Sequence, residues 1–173
     1  MVQWCHMEGN KQMNKSRALL VFGAPCSGKT TFAEKFAQKF GLAYYDLGQL
    51  MEEEFARPEM LRILELILRT KQTVVLEGGL DTENDRTEIR NLLRKHGYEP
   101  SLIWVQTDIA TIRMRLKTKF HSVAKAKEFF DAATSEMEAP TDFERPIILS
   151  GKHTFETQCK HAITGLADLV ESK

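Results

Sequence analysis

Eight consecutive residues, Gly23-Ala24-Pro25-Cys26-Ser27-Gly28-Lys29-Thr30, have the composition and spacing of a phosphate-binding loop. They match the pattern G-x-x-x-x-G-K-[ST], the Walker A motif or P-loop. Glycines at both ends permit backbone angles and close approaches that a Cβ atom would obstruct. The N–H groups of such a loop converge on phosphate oxygens, aided by the positive end of the following helix dipole. We therefore predict that these residues, with Thr31, bind the phosphates of ATP.

Two side chains of the loop and one downstream carboxylate have predicted roles of their own. Lys29 would reach the β- and γ-phosphates, which makes it a candidate catalytic residue. The Thr30 hydroxyl would ligate Mg²⁺, and Glu77 would be the second metal ligand, as a Walker B acid at a strand end. Glu77 ends a short run rich in apolar and β-branched residues, which is typical of a buried strand. The alternative is an exposed glutamate at a strand end.

The segments around the loop alternate between strand and helix patterns. Apolar or β-branched runs predict five strands, at 18–22, 42–46, 73–77, 101–105 and 146–149. Amphipathic or capped segments between them predict helices at 31–40, 47–56, 58–70, 82–96, after Asp108, from 122 to about 137, and at 155–170. This order predicts parallel βαβ units in a three-layer α/β/α sandwich with a five-stranded parallel sheet. Ligands of such sheets bind outside the carboxyl ends of the strands.

Asp46 ends the second predicted strand, at the same edge of the sheet as the loop. Its carboxylate could accept a proton from a substrate hydroxyl, as a positioned acid does in kinases. It could equally cap the helix that begins at Leu47. Both interpretations stay open, and they are compatible.

A basic segment without any acid follows Asp108 and contains Arg113, Arg115, Lys117, Lys119, Lys125 and Lys127. In this fold class such a segment can close over the nucleotide as a lid, here predicted around 113–140. Arg115 would then neutralise charge on the transferring phosphoryl group, and Lys119, one turn later, would contact the nucleotide. A solvated helix face is the alternative.

Composition narrows the class of protein. A chain of 173 residues with 42% apolar and 28% charged residues predicts one globular domain, 17–173, after a loose tail at 1–16. A net charge of zero argues against a broad nucleic-acid footprint, and no apolar run is long enough to span a membrane. Three widely spaced cysteines favour a reducing cytoplasm over a disulfide framework. Cys26 is interpreted as incidental, because its position in the motif accepts many residue types.

From Ala18 to Val170 the chain resembles the small P-loop kinases called AAA-type predicted kinases, which include phage-type polynucleotide kinase and zeta-toxin-like kinases. Their second strand usually ends in an acid, where Asp46 lies here. Their third strand commonly ends D-x-T and precedes an arginine, and this chain has Glu77-Gly78-Gly79 and Arg86. The lid pattern R-L-x-x-R is matched by Arg115-Leu116-Lys117-Thr118-Lys119, and F-E-x-P is echoed by Met137-Glu138-Ala139-Pro140. The chain departs from these patterns at Glu77, Gly79 and Lys119.

The resemblance implies a P-loop NTPase fold and an ATP- and Mg²⁺-dependent kinase. The acceptor would be a hydroxyl of a small molecule or of a nucleic-acid end, bound near Asp46, Gly78, Gly79 and Arg86. A nucleoside monophosphate kinase and a nucleotide-binding sensor without transfer activity are the alternatives. The sequence leaves the acceptor and the oligomeric state undetermined.

Overall fold

The structure, a computed structural model, describes residues 16–52 and 56–171. Its centre is a sheet of five parallel strands in the order β2-β3-β1-β4-β5. The strands are β1 (Arg17–Phe22), β2 (Ala43–Asp46), β3 (Val74–Glu77), β4 (Glu99–Gln106) and β5 (Ile147–Ser150). The predicted five-stranded parallel sheet is confirmed. β4 is longer than predicted because it pairs with β1 along its first six residues and with β5 along its last four.

Seven helices and one 3₁₀ turn connect the strands within the described residues. They are α1 (Lys29–Phe40), α2 (Leu47–Glu52), α3 (Arg57–Leu68), α4 (Glu83–Lys95), α5 (Ile109–Phe120), α6 (Val123–Thr134), the 3₁₀ turn Asp142–Glu144 and α7 (Phe155–Glu171). Thr82, Asp108 and Ser122 cap α4, α5 and α6 with their side chains, as their residue types favour. The predicted helix 47–56 is described only to Glu52, and residues 53–55 and the predicted tail 1–15 lie outside the described residues.

Two cores on opposite faces of the sheet make the three layers. Because successive strand residues point to opposite faces, Leu20 and Phe22 pack with one core and Leu19 and Val21 with the other. The first core contains buried residues of α2, α3 and α4: Leu47, Met60, Leu64, Leu68, Ile89 and Leu93. The second contains buried residues of α1 and α7: Phe32, Ala33, Phe36, Ala37, Cys159, Ala162 and Leu166. The sheet is therefore covered by helices on both faces.

The helical pair α5–α6 forms a separate small cluster, which lies within the segment predicted as a lid. Its buried residues are Ile112, Leu116 and Ala126, and these pack against Ala24 and Cys26 of the phosphate-binding loop. The pair is therefore attached to the loop as well as to its own apolar contacts. Its action as a lid remains a prediction.

Among the described residues, no helix combines the length and the hydropathy that crossing a bilayer requires.

Candidate active site

The phosphate-binding loop joins β1 to α1 at the carboxyl edge of the sheet. Gly23 has φ 156°, and a Cβ atom there would lie 2.4 Å from the carbonyl oxygen of Val105 on β4. Glycine is required at this position because the loop begins by crossing directly over the neighbouring strand. The loop then turns into α1 at Gly28, so the first N–H groups of that helix point at the space above the sheet edge.

Carbonyl groups on one side of the loop are held by residues from α5 and from the segments that follow β4 and β5. The Thr107 hydroxyl donates to the carbonyl of Ser27 at 2.9 Å. The Arg115 guanidinium donates to the carbonyls of Cys26 at 2.9 Å, Ser27 at 3.2 Å and Gly151 at 3.0 Å. Gly151 approaches so closely that a Cβ atom would lie 2.0 Å from the Ser27 carbonyl oxygen. These contacts fix the loop while leaving its helical N–H groups to a ligand.

This arrangement changes the interpretation of Arg115. The sequence predicted that its guanidinium neutralises charge on the transferring phosphoryl group. In the structure both terminal nitrogens donate to backbone carbonyls of the loop and of Gly151 instead. A five-donor planar group is well suited to join several carbonyls at once. In the structure, Arg115 thus stabilises the conformation of the loop.

Glu77 is the carboxylate at the centre of the site. Its side chain ends β3 and is 2% exposed. The Thr30 hydroxyl donates to Oε1 at 2.6 Å, and Lys29 Nζ lies 3.5 Å from the same oxygen. The structure therefore brings together the three residues that the sequence singled out for phosphate and metal chemistry. It excludes the alternative of an exposed glutamate at a strand end.

Tyr44 is a partner of Glu77 that sequence reasoning missed. Its hydroxyl donates to Glu77 Oε2 at 2.9 Å. Burial, together with the neighbouring Glu77 carboxylate, raises the pKa of Tyr44, so the hydroxyl stays protonated and keeps donating. The signal was present in the register: Asp46 pairs with Glu77 across β2 and β3, and Tyr44 lies two residues earlier on the same face.

The residues present fit a magnesium ion. Thr30 and Glu77 offer two oxygen atoms 2.6 Å apart, and Mg²⁺ is typically bound by one or two protein oxygens together with substrate phosphates and water. Glu77 is held by two hydroxyl groups and a lysine at 3.5 Å, contacts that a cation can replace. Tyr44 would then hold the carboxylate from the other oxygen.

A cleft of about 590 Å³ opens beside the loop on its basic side. Its lining includes the predicted nucleotide ligands Lys29, Thr30, Thr31 and Lys119. The rest of the wall is formed by residues from α1, α5, α6 and the segment after β5, among them Lys35, Arg115, Phe129, Gly151, His153, Phe155 and Gln158. No acidic side chain lines this cleft among the described residues. Its charge suits the polyphosphate and its rings suit a planar base.

On the opposite side of Lys29 the carboxyl edge carries acids. Asp46 Oδ1 accepts a hydrogen bond from the N–H of Gln49 at 3.0 Å. Asp46 therefore caps α2, which was one of the two roles predicted for it. Gly78 lies against Gly48 and Asp46, and the carbonyl of Gly79 accepts a hydrogen bond from Arg57 at 3.4 Å. Two of the predicted acceptor-binding positions, Gly78 and Gly79, thus border the cap of α2.

Asp81 is a further acid on this side that sequence reasoning missed. The residue as a whole is exposed, but partial burial of its carboxyl raises the pKa of that group, and Lys29 is the strongest of the charges that counteract this shift. The backbone carbonyl of Asp81 accepts hydrogen bonds from Arg86 at 3.2 Å and from the N–H of Glu138 at 2.9 Å. The residue is therefore fixed at its main chain, close to the segment that follows β3.

The structure does not support Arg86 as a substrate ligand. Its side chain is fully buried, and it forms a bidentate ion pair with Glu144, at 2.8 Å and 3.0 Å. The remaining nitrogen donates to the carbonyls of Leu80, Asp81 and Glu138 at 2.9–3.2 Å. Protein groups thus use every nitrogen of the guanidinium, which fastens the chain after β3 to the segment before β5. Sequence position alone could not reveal this, because the partner Glu144 lies 58 residues away.

Comparisons with known proteins agree with this architecture. Adenylate kinase isoenzyme 1 of Sus scrofa is 34% identical over 76 residues, which cover 43% of this chain and 39% of that protein. Adenylate kinase of Thermococcus kodakarensis is 25% identical over 120 residues, covering 56% of this chain and 54% of that protein. The chain thus matches about half or less of the length of these curated relatives.

Solved structures share the fold over nearly the whole chain. A gluconokinase from Sinorhizobium meliloti 1021 superposes with a TM-score of 0.70 at 16% identity, covering 91% of this chain and 95% of that one. The APS kinase CysC of Mycobacterium tuberculosis, in complex with AMPPNP and APS, superposes with a TM-score of 0.69 at 17% identity, covering 88% and 98%. The fold is that of the P-loop NTPases. A family model described as an AAA domain matches residues 19–143, most of the chain, and the chain belongs to this AAA domain family.

Proposed function

We propose that this protein is an ATP-dependent phosphotransferase that moves the γ-phosphoryl group of ATP to a hydroxyl group of a small molecule. The observation that carries the proposal is the meeting of Lys29, Thr30 and Glu77 at the carboxyl edge, with Thr30 Oγ1 and Glu77 Oε1 2.6 Å apart. Curated relatives named adenylate kinase and solved structures named gluconokinase and APS kinase support the same class of activity.

In this proposal ATP lies with its base and ribose in the basic cleft and its phosphates on the loop. N–H groups at the start of α1 and the Lys29 ammonium bind the β- and γ-phosphates. Thr30 and Glu77 hold Mg²⁺, which would neutralise charge on those phosphates. Arg115 keeps the loop in shape through its carbonyl contacts. Catalysis is then positioning and charge stabilisation, as phosphoryl transfer generally requires.

The acceptor in this proposal enters from the side of Asp46 and Asp81. A carboxylate there can take the proton of the attacking hydroxyl as the new P–O bond forms and the bond to the ADP leaving group breaks. Both acids disfavour an acceptor that itself carries a phosphate, because like charges repel. The cations nearby are already engaged: Arg86 pairs with Glu144, and Arg57 pairs with Asp85 at 2.9 Å and Glu88 at 2.7 Å.

These charges favour a hydroxyl acceptor over a nucleoside monophosphate, the second candidate. A nucleic-acid end, also expected as an acceptor, gains no support from the relatives. Membership of the polynucleotide-kinase or zeta-toxin subgroup stays a prediction. One assay distinguishes the proposal from a nucleotide-binding sensor without transfer activity. When the protein is incubated with labelled ATP and a metabolite extract, a phosphotransferase labels a metabolite and a sensor does not.

The loop assignment is tested by Lys29→Ala. We expect a severe loss of Mg-ATP affinity in calorimetry and of ADP formation, since the ammonium contacts the phosphates that carry the most charge. The circular dichroism spectrum should not change, because Lys29 only approaches Glu77 at 3.5 Å.

Lys39→Ala is the matched control, since Lys39 lies on the same helix, is exposed and does not line the basic cleft. Equal ATP affinity in wild type and folded Lys29→Ala would remove the basis of the proposal.

A further inference from the structure

A pocket of about 240 Å³ lies at the amino edge of the sheet, at the opposite ends of the strands from the phosphate-binding loop. The first residues of β1 and β4, together with α4, the 3₁₀ turn and the end of α7, form its wall. Its charged lining residues are four arginines and two glutamates: Arg17, Arg90, Arg94, Arg145, Glu99 and Glu144. Because Glu144 is already paired with the buried Arg86, which does not line the pocket, the described lining is positively charged overall.

Arg90 distinguishes this pocket from an ordinary basic surface, because its charged side chain is mostly buried. Its side chain is 17% exposed, and its one ion pair is to Glu144 Oε1 at a loose 3.8 Å. That same oxygen already accepts the hydrogen bond of Arg86 Nε at 2.8 Å. The mostly buried guanidinium of Arg90 therefore lines the pocket, and the one carboxylate that pairs with it is bound more closely by Arg86.

The remaining charges increase this imbalance. Burial and the neighbouring Arg94 lower the pKa of Arg90, an effect that Glu144 only partly offsets. Neither Arg17 nor Arg94 forms an ion pair with any residue in 16–52 or 56–171. An anion in the pocket would relieve the repulsion between Arg90 and Arg94, which lie one helical turn apart on α4.

We infer that this pocket is a binding site for a small phosphate monoester, separate from the site at the phosphate-binding loop. The positive lining suits a dianion, and the guanidinium groups of Arg90, Arg94 and Arg17 are of the kind that binds phosphate oxygens bidentately. Ligand pockets for drug-sized molecules usually enclose about 300–1,000 Å³, so the smaller volume limits the ligand to a phosphate on a compact organic group.

The wall beyond the arginines defines the organic part of the ligand. Phe143, which is 96% exposed, lines the pocket together with Leu169 and Val170. Apolar and aromatic side chains commonly line ligand pockets. The compact group is therefore apolar, and a ring can stack on Phe143.

Calorimetric titration with phenyl phosphate tests the site, in a Lys29→Ala background that weakens binding at the loop. We expect one saturable site. Arg94→Gln should weaken its affinity about tenfold, the size expected for one charge-assisted hydrogen bond. Arg90→Gln should weaken it at least as much, and the exposed Arg94 keeps the test valid if Arg90→Gln unfolds.

Lys95→Gln is the matched control. Lys95 neighbours Arg94 on α4, carries the same charge, is 74% exposed and is directed to Glu65 outside the pocket. Its removal should leave the affinity unchanged. The absence of a saturable site in the Lys29→Ala protein overturns the inference, and so does an equal loss in Lys95→Gln and Arg94→Gln, which would indicate attraction by net charge.

The apolar wall is tested by comparing phenyl phosphate with inorganic phosphate. We expect phenyl phosphate to bind more tightly to the Lys29→Ala protein, and Phe143→Ala to remove that preference while leaving inorganic phosphate unaffected. Equal affinities for the two compounds before the substitution would contradict the assignment to a phosphate monoester.

Discussion

Two buried glutamates, Glu77 and Glu144, differ in how firmly the protein holds them. Glu77 is 2% exposed and accepts from two neutral hydroxyl groups, with Lys29 at 3.5 Å. Glu144 is 6% exposed, accepts a bidentate pair from the fully buried Arg86, and also accepts from the N–H of Thr141 at 2.9 Å. Both carboxylates are buried, but Glu77 is held mainly by neutral hydroxyl groups and Glu144 by a charged guanidinium.

The difference separates a carboxylate that is available for chemistry from one that is structural. The two hydroxyl groups are neutral and leave the charge of Glu77 to be balanced by Lys29 at 3.5 Å, so a cation that arrives with ATP can recruit Glu77. A bidentate guanidinium satisfies both oxygens in fixed geometry, and no donor is left to exchange. Glu144 therefore holds the chain together around the site, through Arg86 and the carbonyls of Leu80, Asp81 and Glu138.

The largest expected effect is on Glu144. Glu144→Ala should lower the free energy of unfolding by about 3–5 kcal/mol, because it leaves the Arg86 charge buried without a partner. Urea denaturation of the variant against wild type measures this cost. Glu138→Ala serves as a control, since Glu138 is exposed, contacts Arg86 through its backbone carbonyl, and its side chain accepts the N–H of Glu83 at 2.6 Å, a contact worth about 1 kcal/mol. A cost below about 1 kcal/mol, the range of exposed ion pairs, would mean that the Arg86–Glu144 pair is not structural.

Asp46 provides a third carboxylate, intermediate between the two. Its described contact is the cap hydrogen bond with Gln49, which asparagine can replace. Asp46→Asn should therefore keep the stability of wild type but lower single-turnover transfer by about 10²-fold, the lower end for a lost general base. Asp46→Ala should lose transfer equally and also about 1 kcal/mol of stability.

A thermal melt beside a transfer assay separates the two roles of Asp46. Wild-type transfer in Asp46→Asn, with an earlier melt only in Asp46→Ala, would identify the residue as a cap and place the base elsewhere, Asp81 being the next acid to substitute.

Glu77→Gln should produce a smaller effect, limited to the metal. The amide keeps an oxygen for the hydroxyl donors, so we expect little change in stability, and the ATP affinity measured in EDTA should stay near that of wild type. The gain that Mg²⁺ confers should fall about tenfold, since a neutral amide replaces a charged ligand. Calorimetry with and without Mg²⁺ measures it, with the exposed Glu59→Gln as control. An unchanged Mg²⁺ response would contradict the assignment of Glu77 as a metal ligand.

The smallest expected effect is a pH dependence. Burial opposes ionisation of Glu144, but Arg86 and the N–H of Thr141 prevail and lower its pKa below the ordinary value of 4.5. Its contribution to stability is thus fully present above that ordinary pKa and is lost as pH falls through the lower folded pKa. The difference in melting temperature between wild type and Glu144→Gln should be greatest near about pH 7 and shrink below about pH 4. A difference that grows on acidification would reverse the sign of this linkage.

Much of the fold followed from local patterns in the sequence. Apolar or β-branched runs, separated by amphipathic segments, predicted all five strands. The signal is strongest for the central strands β1 and β3, because parallel strands buried on both faces need continuous apolar sequence. Side-chain caps at Thr82, Asp108 and Ser122 marked helix starts for the same local reason. The loop motif and the acid at the end of β3 were readable too, since their chemistry depends on residue type and on position relative to a strand.

What only the tertiary structure decided were the contacts between distant segments. The sequence placed Arg86 in the substrate site and Arg115 at the transferring phosphoryl group. Their partners, Glu144 and the carbonyl of Gly151, lie 58 and 36 residues away and carry no local signal. The same holds for Tyr44, whose partner Glu77 is on the adjacent strand. Local patterns reflect backbone preference and burial. The partner of a buried charge comes from a segment that is distant in the sequence, so only the tertiary structure identifies it.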